Sequence, residues 1–442
     1  MKTLNSRDMI ALGFMTLALF LGAGNIIFPP LYGFQYGDMA WWFAAGFLVT
    51  AVGMPVLTII ALARVNGTIE VLSKPLGKVA SIIFAVTCYL AVGPLFATPR
   101  TATVSYEMGV LPFIAGKMTP EQGLMLYSVV YFTVTLLLAC FPGRLLDIVG
   151  KVLAPIKILA IAVLGISAFF AINAVTGSAQ FAHAVLASDA FNSGVSDGYL
   201  TMDTLGALVF GIVIVRAIQS RGVTSPQLTT RYAIIAGLMA GAGLALVYIS
   251  LFQLGMDSQD IAAGATNGAQ VLRVYVHHVV GVWGDALLAF LIIIACLVTS
   301  VGLTCACAEY FSELFKCPER FIAVLLAVFA ALVSNLGLTQ LIHVSGPLLY
   351  GLGPTCVTLV FLQLANRWWL SDKRVIAPCM VVALIFGMFE LLNAAECLPA
   401  DWKNVLFTLP MSGAGLGWVL PVLAMLLVMI VIDRMRGKPQ SA

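Results

Sequence analysis

A chain of 442 residues that is 61% hydrophobic and only 10% charged is not a water-soluble globular domain; this composition belongs to a protein solvated by the hydrocarbon of a bilayer. Its 23 basic and 20 acidic residues nearly cancel, to a formal charge of +3, which excludes the basic footprint of a nucleic-acid partner. Nine cysteines, odd in number and mostly inside apolar runs, argue against a disulfide framework, and Cys305-Ala-Cys307 has no His or Cys pair at zinc spacing beside it.

A hydrocarbon layer about 30 Å thick is crossed by about 20 helical residues. The first such run, residues 9–33, carries its own interruption: Gly22-Ala23-Gly24-Asn25 loosens the helix and Pro29-Pro30 removes two backbone donors. Unpaired backbone groups away from water cost several kcal/mol, so chain unwound at membrane depth is tolerated only where it lines a cavity or holds a ligand. No cleavage-site pattern accompanies this run, so the chain is expected to begin at Met1 with a true span. Further spans are predicted over residues 39–63, 78–98, 122–141 and 150–174, with Arg100 and Glu107 just past the third. A hydrophilic stretch, 175–198, leads into the sixth span, 199–221, which Asp203 opens and which glycine weakens within Leu205-Gly206-Ala207-Leu208-Val209-Phe210-Gly211-Ile212. The seventh follows at 228–254. After a second hydrophilic stretch, 256–280, the eighth runs over 281–308 and holds Thr299-Ser300. Runs at 320–337, 341–365, 374–394 and 413–433 complete a predicted twelve. With the N-terminus placed in the cytoplasm, twelve crossings leave only Arg100, Lys117, Arg273 and Lys403 of the 23 basic residues on the outer face, an asymmetry of the positive-inside kind.

The two glycine-weakened spans lie five apart. An odd number of helices per repeat makes the second repeat enter from the opposite face, so spans one to five and six to ten are expected to form an inverted pair, and matching interruptions in such halves point to a carrier's midplane site. The predicted organisation is therefore all-α and integral to the membrane: residues 1–174 as the first repeat, 175–365 as the second, and 366–442 as two further helices with a short cytoplasmic tail. A broken helix offers carbonyls to a cation or ammonium and amides to a carboxylate, so facing breaks at Gly22, Ala23, Gly24 and Asn25 and at Val209, Phe210, Gly211 and Ile212 would suit both ends of an amino acid. Close packing of small residues is the competing reading for the sixth span. The hydroxyls of Thr299 and Ser300 suit a hard cation, unless they bond back to their own helix. Arg100 and Asp203 read either as a gate that pairs when the outer pathway is shut or as a snorkelling interfacial arginine and a helix cap. His343 and the glutamates at span ends read as interfacial or solvated groups.

The opening Leu19-Phe20-Leu21-Gly22-Ala23-Gly24-Asn25-Ile26-Ile27-Phe28-Pro29-Pro30, the segment Ala97-Thr98-Pro99-Arg100-Thr101-Ala102, and Met202-Asp203 followed by Val209-Phe210-Gly211 together resemble the bacterial branched-chain amino acid:cation symporters over nearly the whole chain. The resemblance implies the five-plus-five inverted repeat of LeuT-type transporters with discontinuous helices 1 and 6. It also implies import of leucine, isoleucine and valine with sodium, and residence in the bacterial cytoplasmic membrane with both termini inside. It implies further that Thr299 and Ser300 bind sodium with carbonyls from the first break, Leu21 and Gly22, and that Asn25 reaches the substrate carboxylate or a cation. The interval from Asn25 to Phe28 is one residue shorter than in the sodium-coupled neurotransmitter type. No cofactor beyond the coupling ion is implied, and the sequence leaves the oligomeric state open.

Transport is thus the expected function. A proton-coupled carrier of the same fold would need a titratable group near the site, and the sequence shows no obvious mid-span carboxylate to serve it. A channel would need a filter loop or a ring of pore charges. An enzyme would need a nucleophile with its base or a metal constellation, and neither is evident.

Overall fold

The computed structural model describes residues 3–65, 68–114, 116–140, 186–399, 401–403, 409, 411–412 and 415–437, and its regular structure there is helix, with no strand. In chain order, α1 (Ser6–Phe20) and α2 (Ala23–Tyr36) make the first span, followed by α3 (Ala40–Leu48) and α4 (Met54–Val65) joined by a π turn over Val49–Gly53. The short α5 (Ile69–Ser73) precedes α6 (Lys78–Leu90) and α7 (Ala97–Gly109), then the four-residue α8 (Leu111–Ile114) and α9 (Pro120–Ala139). The second half comprises α10 (Ala187–Asp197), α11 (Asp203–Gln219), α12 (Pro226–Met256), α13 (Gly268–Val280), α14 (Val282–Phe315), α15 (Glu319–Ser334), α16 (Leu338–Leu364), α17 (Asp372–Ala394) and α18 (Val419–Arg436).

Among the described residues seven helical runs are long and apolar enough to cross a membrane, and the bent pair of α10 with its 3-10 extension and α11, at 42°, is an eighth when taken as one span. One of the seven, Ala23–Val65, is really a hairpin. The Tyr32 ring lies 4.5 Å from that of Phe43, whereas eleven residues of continuous helix would put them about 16 Å apart. The chain reverses at Gly37, whose φ of 49° favours glycine.

Three expectations change. Pro29 and Pro30 do not break the first span a second time: both sit inside α2, and the interruption is confined to Leu21 and Gly22. In the sixth span the helix is continuous from Asp203 through Gly206 and Gly211, and the break falls earlier, at Met202. The third helical run does not end near residue 98 but continues to Gly109, bent at Gly93-Pro94 where backbone angles leave the helical region. The expected fifth span, 150–174, lies outside the described residues. A helix not singled out in the sequence, α13, occupies the second hydrophilic stretch and packs on α2.

Backbone-to-backbone contact clamps α10, the first half of the broken sixth span, to α3 of the second span. A Cβ at Gly46 of α3 would run into the Phe191 carbonyl of α10, and one at Gly194 of α10 into the Phe43 carbonyl of α3. Without a solvent-driven hydrophobic term between helices in lipid, such close approach supplies the packing. Gly194→Ala is therefore expected to destabilise the protein by roughly 1–3 kcal/mol through overpacking. Gly206→Ala, whose Cβ would meet nothing nearer than Phe210 Cδ2 at 3.8 Å, should leave the melting temperature in detergent unchanged.

Candidate functional site

At the first break α1 stops at Phe20 and α2 starts at Ala23, and a helix leaves its last carbonyls and first amides without intrahelical partners. The Gly22 amide is held twice, donating to the Phe20 carbonyl at 2.6 Å and to Asn25 Oδ1 at 2.8 Å. Asn25 thus closes the start of α2 from within. Its Nδ2 reaches across to Asp203 Oδ2 at 2.7 Å and also contacts the Tyr248 hydroxyl, which itself donates to Asp203 Oδ2 at 2.6 Å. These three polar side chains, from α2, α11 and α12, are almost wholly buried at 1%, 4% and 0% exposure. They tie the two breaks to each other and to the seventh span.

The second break turns on Met202, a non-glycine residue at φ 63°, which ends the 3-10 stretch Gly198–Thr201 and lets α11 start afresh at Asp203. Between the breaks lies a cavity of about 40 Å³ lined by Gly22, Ala23 and Gly24 from the first, Thr201, Met202 and Asp203 from the second, and Arg100, Phe210 and Thr299 among the flanking residues. At about 10–15 Å³ per water this volume holds roughly three waters, less than an amino acid needs, so the site is closed down in this conformation.

The remaining predicted residues are distributed unevenly. Phe210 lines the cavity, Val209 is buried outside it, Gly211 packs against Leu62 of α4, and Ile212 opens onto a separate vestibule. The glycines of the sixth span therefore divide: Gly211 serves packing, while Gly206, with no close neighbour, faces the cavity. Thr299 Oγ1 approaches the Leu21 carbonyl at 3.3 Å and its own helix at Ala295 O at 3.2 Å. Ser300 is turned to the other side of α14, where its hydroxyl meets Thr135 of α9 at 3.4 Å. Thr299, Leu21 and Gly22 are thus together, and Ser300 is one wall removed.

Arg100 is neither at the interface nor paired with Asp203. It is 2% exposed, inside α7, with Nη1 donating to the Leu200 carbonyl and Nη2 to Ser345 Oγ, each at 2.8 Å, and with Cζ 5.3 Å from the Phe28 ring centroid. The snorkelling reading fails because the third span continues past it, and in this conformation no ion pair joins Arg100 to Asp203 although they line one cavity. The cap reading of Asp203 is likewise incomplete: Met202 holds the cap position, and the carboxylate is a buried mid-span charge that the sequence did not reveal as one. Tyr248 and Ser345 were also missed; each is one of several hydroxyls within a largely apolar span, and nothing in the sequence marks it out from the others.

A vestibule of about 720 Å³ opens at the end of the bundle where Lys74, Lys78 and Arg216 lie, balanced by Glu70, Glu309 and Glu313. Arg216 pairs there with Glu309, and more loosely with Glu313 at 3.9 Å. The vestibule and the cavity are separated by a helical turn or less at three places. Leu303 lines the cavity and Ala306 the vestibule, as do Val92 and Tyr89, and Phe210 and Ile212.

A family model described as "Branched-chain amino acid transport protein" matches residues 5–436. The chain is 54% identical over 439 residues, 99% of each chain, to the "Branched-chain amino acid transport system 3 carrier protein" of Pseudomonas aeruginosa. It is 51% identical over 438 residues, 98% of each, to the "Branched-chain amino acid permease BrnQ" of Escherichia coli. Among solved structures it is similar in fold, at 11% identity and a TM-score of 0.60, to a Na+-coupled sialic acid symporter in a substrate-bound outward-open state, over 98% of this chain and 91% of that one.

Removing the amide that joins the breaks tests their dependence on one another. Asn25→Ala leaves the Gly22 amide with one acceptor and Asp203 with one donor, at about 1–3 kcal/mol of stability. Hydrogen exchange should accelerate selectively at the amides of Gly22 to Gly24; uniform protection equal to wild type would show that the break is held by other contacts.

Proposed function

We infer function from one premise: this chain belongs to the family of branched-chain amino acid transport proteins. It is a multi-span carrier and not an enzyme. In the reading we propose, leucine, isoleucine and valine bind between the two helix breaks and enter the cell by alternating access, driven by sodium. The protein sits in the cytoplasmic membrane of a bacterium with both termini inside.

The observation that carries this reading is the cavity itself, which joins helix ends from both broken spans to an apolar lining that includes Phe210. An aliphatic side chain offers nothing to hydrogen-bond, and one methylene in an apolar pocket is worth about 1–3 kcal/mol, so the three branched substrates should compete with one another. The vestibule supplies the release route, because its mouth lies at the end that the positive-inside asymmetry assigns to the cytoplasm. Each charge moved inward through 100 mV contributes about 2.3 kcal/mol to accumulation.

Sodium, as co-transported cargo, is assigned to the corner where the Thr299 hydroxyl meets the Leu21 carbonyl, an all-oxygen setting suited to a hard cation. Asp203 supports a second reading. A buried carboxylate on the cavity wall is the titratable group that proton coupling requires.

Counterflow of labelled leucine in proteoliposomes, with sodium or choline at fixed pH, separates the two. Under sodium coupling, choline abolishes counterflow, and Thr299→Ala together with Ser300→Ala does the same while the protein still reaches the membrane. Because Ser300 faces α9, Thr299→Ala alone should account for most of the loss. Counterflow that ignores sodium, follows external pH and loses that pH dependence in Asp203→Asn would assign the drive to protons instead.

A further inference from the structure

We propose that Arg100 and Asp203 are the two poles of the substrate site, the guanidinium receiving the α-carboxylate of the amino acid and the Asp203 carboxylate its α-ammonium. This rests on the transport reading above and specifies which atoms of the chain recognise the amino-acid head group.

Arg100 is a buried cation without a counter-ion: among the described residues no carboxylate lies within 4.0 Å of its guanidinium. Of the five N–H donors an arginine carries, one on Nη1 and one on Nη2 are engaged, and Nε has no partner although it is buried. The face of Phe28 compensates the charge only in part. A charge removed from water in this way is strongly unfavourable unless an anion joins it.

Asp203 presents the opposite case. Asn25 and Tyr248 both donate to its Oδ2, and the neighbouring Thr201 hydroxyl is a further neutral partner. The carboxylate therefore receives neutral donors but no cation. Leu200 and Ser345 pin the guanidinium on one wall of the cavity while Asn25 and Tyr248 pin the carboxylate on another. The protein thus uses four hydrogen bonds to hold opposite charges in one cavity without letting them meet. A zwitterion placed between them neutralises both at once, and the amides that begin α2 at Ala23 and Gly24 add donors on the carboxylate side, since a Cβ on Gly24 would lie 3.2 Å from Arg100 Nη1. The planar fork of arginine matches a carboxylate in two places, which a lysine does not.

The test uses the purified full chain and ligand-induced thermal stabilisation, with leucine, leucinamide and 4-methylpentanoate as probes. Leucinamide keeps the ammonium and lacks the carboxylate charge; 4-methylpentanoate does the reverse. Wild type should prefer leucine to either analogue by at least roughly thirtyfold. Arg100→Gln should weaken leucine by about that factor, leave leucinamide unchanged, and so collapse the leucine-to-leucinamide ratio towards one. Asp203→Asn retains an acceptor for Asn25 and Tyr248 and should collapse the leucine-to-4-methylpentanoate ratio instead. Should Arg100→Gln fail to fold, Arg100→Lys carries the same arm, with a loss confined to carboxylate-bearing ligands. Ratios that stay at the wild-type value in folded variants overturn the assignment alone. A wild-type protein indifferent to leucine, isoleucine and valine, in both stabilisation and counterflow, overturns the transport reading and this assignment with it.

Discussion

Backbone polar groups in hydrocarbon must find partners inside the protein, and the architecture follows from how this chain meets that demand where its helices stop. The solution at the first break is local: one asparagine, three residues on, caps the Gly22 amide with its oxygen and spends its nitrogen on the other break. Because the same side chain serves both interruptions, the start of α2 and the start of α11 are fixed relative to each other. Tyr248 brings in α12, which also packs along α1, α2 and α4, so the polar knot is braced by a helix that contacts both sides of the first break. In a buried network of this type a missing member is costly, since the charge or donor it leaves behind stands uncompensated in a low-dielectric site.

The first break was legible in the sequence because glycine, glycine and asparagine within an apolar run have few other uses. The second was legible as a region but not as a position. A break is expected at glycine, which adopts left-handed angles without a steric penalty, yet the chain turns at Met202 and leaves Gly206 and Gly211 helical. Tertiary contacts decide this: α10 is clamped to α3 through Gly46 and Gly194, so the bend falls at the end of the clamped piece rather than at the weakest residue. Pro29 and Pro30 misled for a related reason, because a proline removes donors without unwinding a helix whose neighbours hold it, and α2 is flanked by both α12 and α13.

Charge was the hardest feature to read. Arg100 and Asp203 both stand at the edge of an apolar run, where one-dimensional hydropathy cannot tell an interfacial residue from a buried one. Helix α7 continues well past Arg100, and α10 lies ahead of Asp203, so each is carried inward by polar-looking sequence that is nonetheless part of the bundle. The hydrophilic character of Ala97–Gly109, with its threonines, Ser105 and Arg100, reflects an inward-facing helix rather than an exposed one: Thr101, Thr103 and Ser105 bond back to their own backbone, while Thr98 Oγ1 and Arg100 Nε are buried without a partner.

Three interruptions lie at one level of the structure: Leu21–Gly22, the bend at Gly93-Pro94, and Met202. Each separates a segment on the vestibule side, α1, α6 or α11, from one on the far side, α2, α7 or α10, and residues from both sides of each meet around the cavity. A continuous helix transmits a displacement along its whole length, whereas an interrupted one lets its halves move separately. The floor between cavity and vestibule is a turn or less thick and is built by the segments around α6, α11 and α14; α6 and α11 end at interruptions and can be displaced on the vestibule side alone, whereas α14 runs through without a break. The far side is bound through Arg100 to the Leu200 carbonyl and Ser345, and through Asn267 to Glu107 at 3.0 Å, contacts that such a displacement does not touch. The vestibule-side ends of α6 and α11 can therefore shift while these far-side contacts are kept, which is the mechanical condition that the alternating access proposed for this carrier requires.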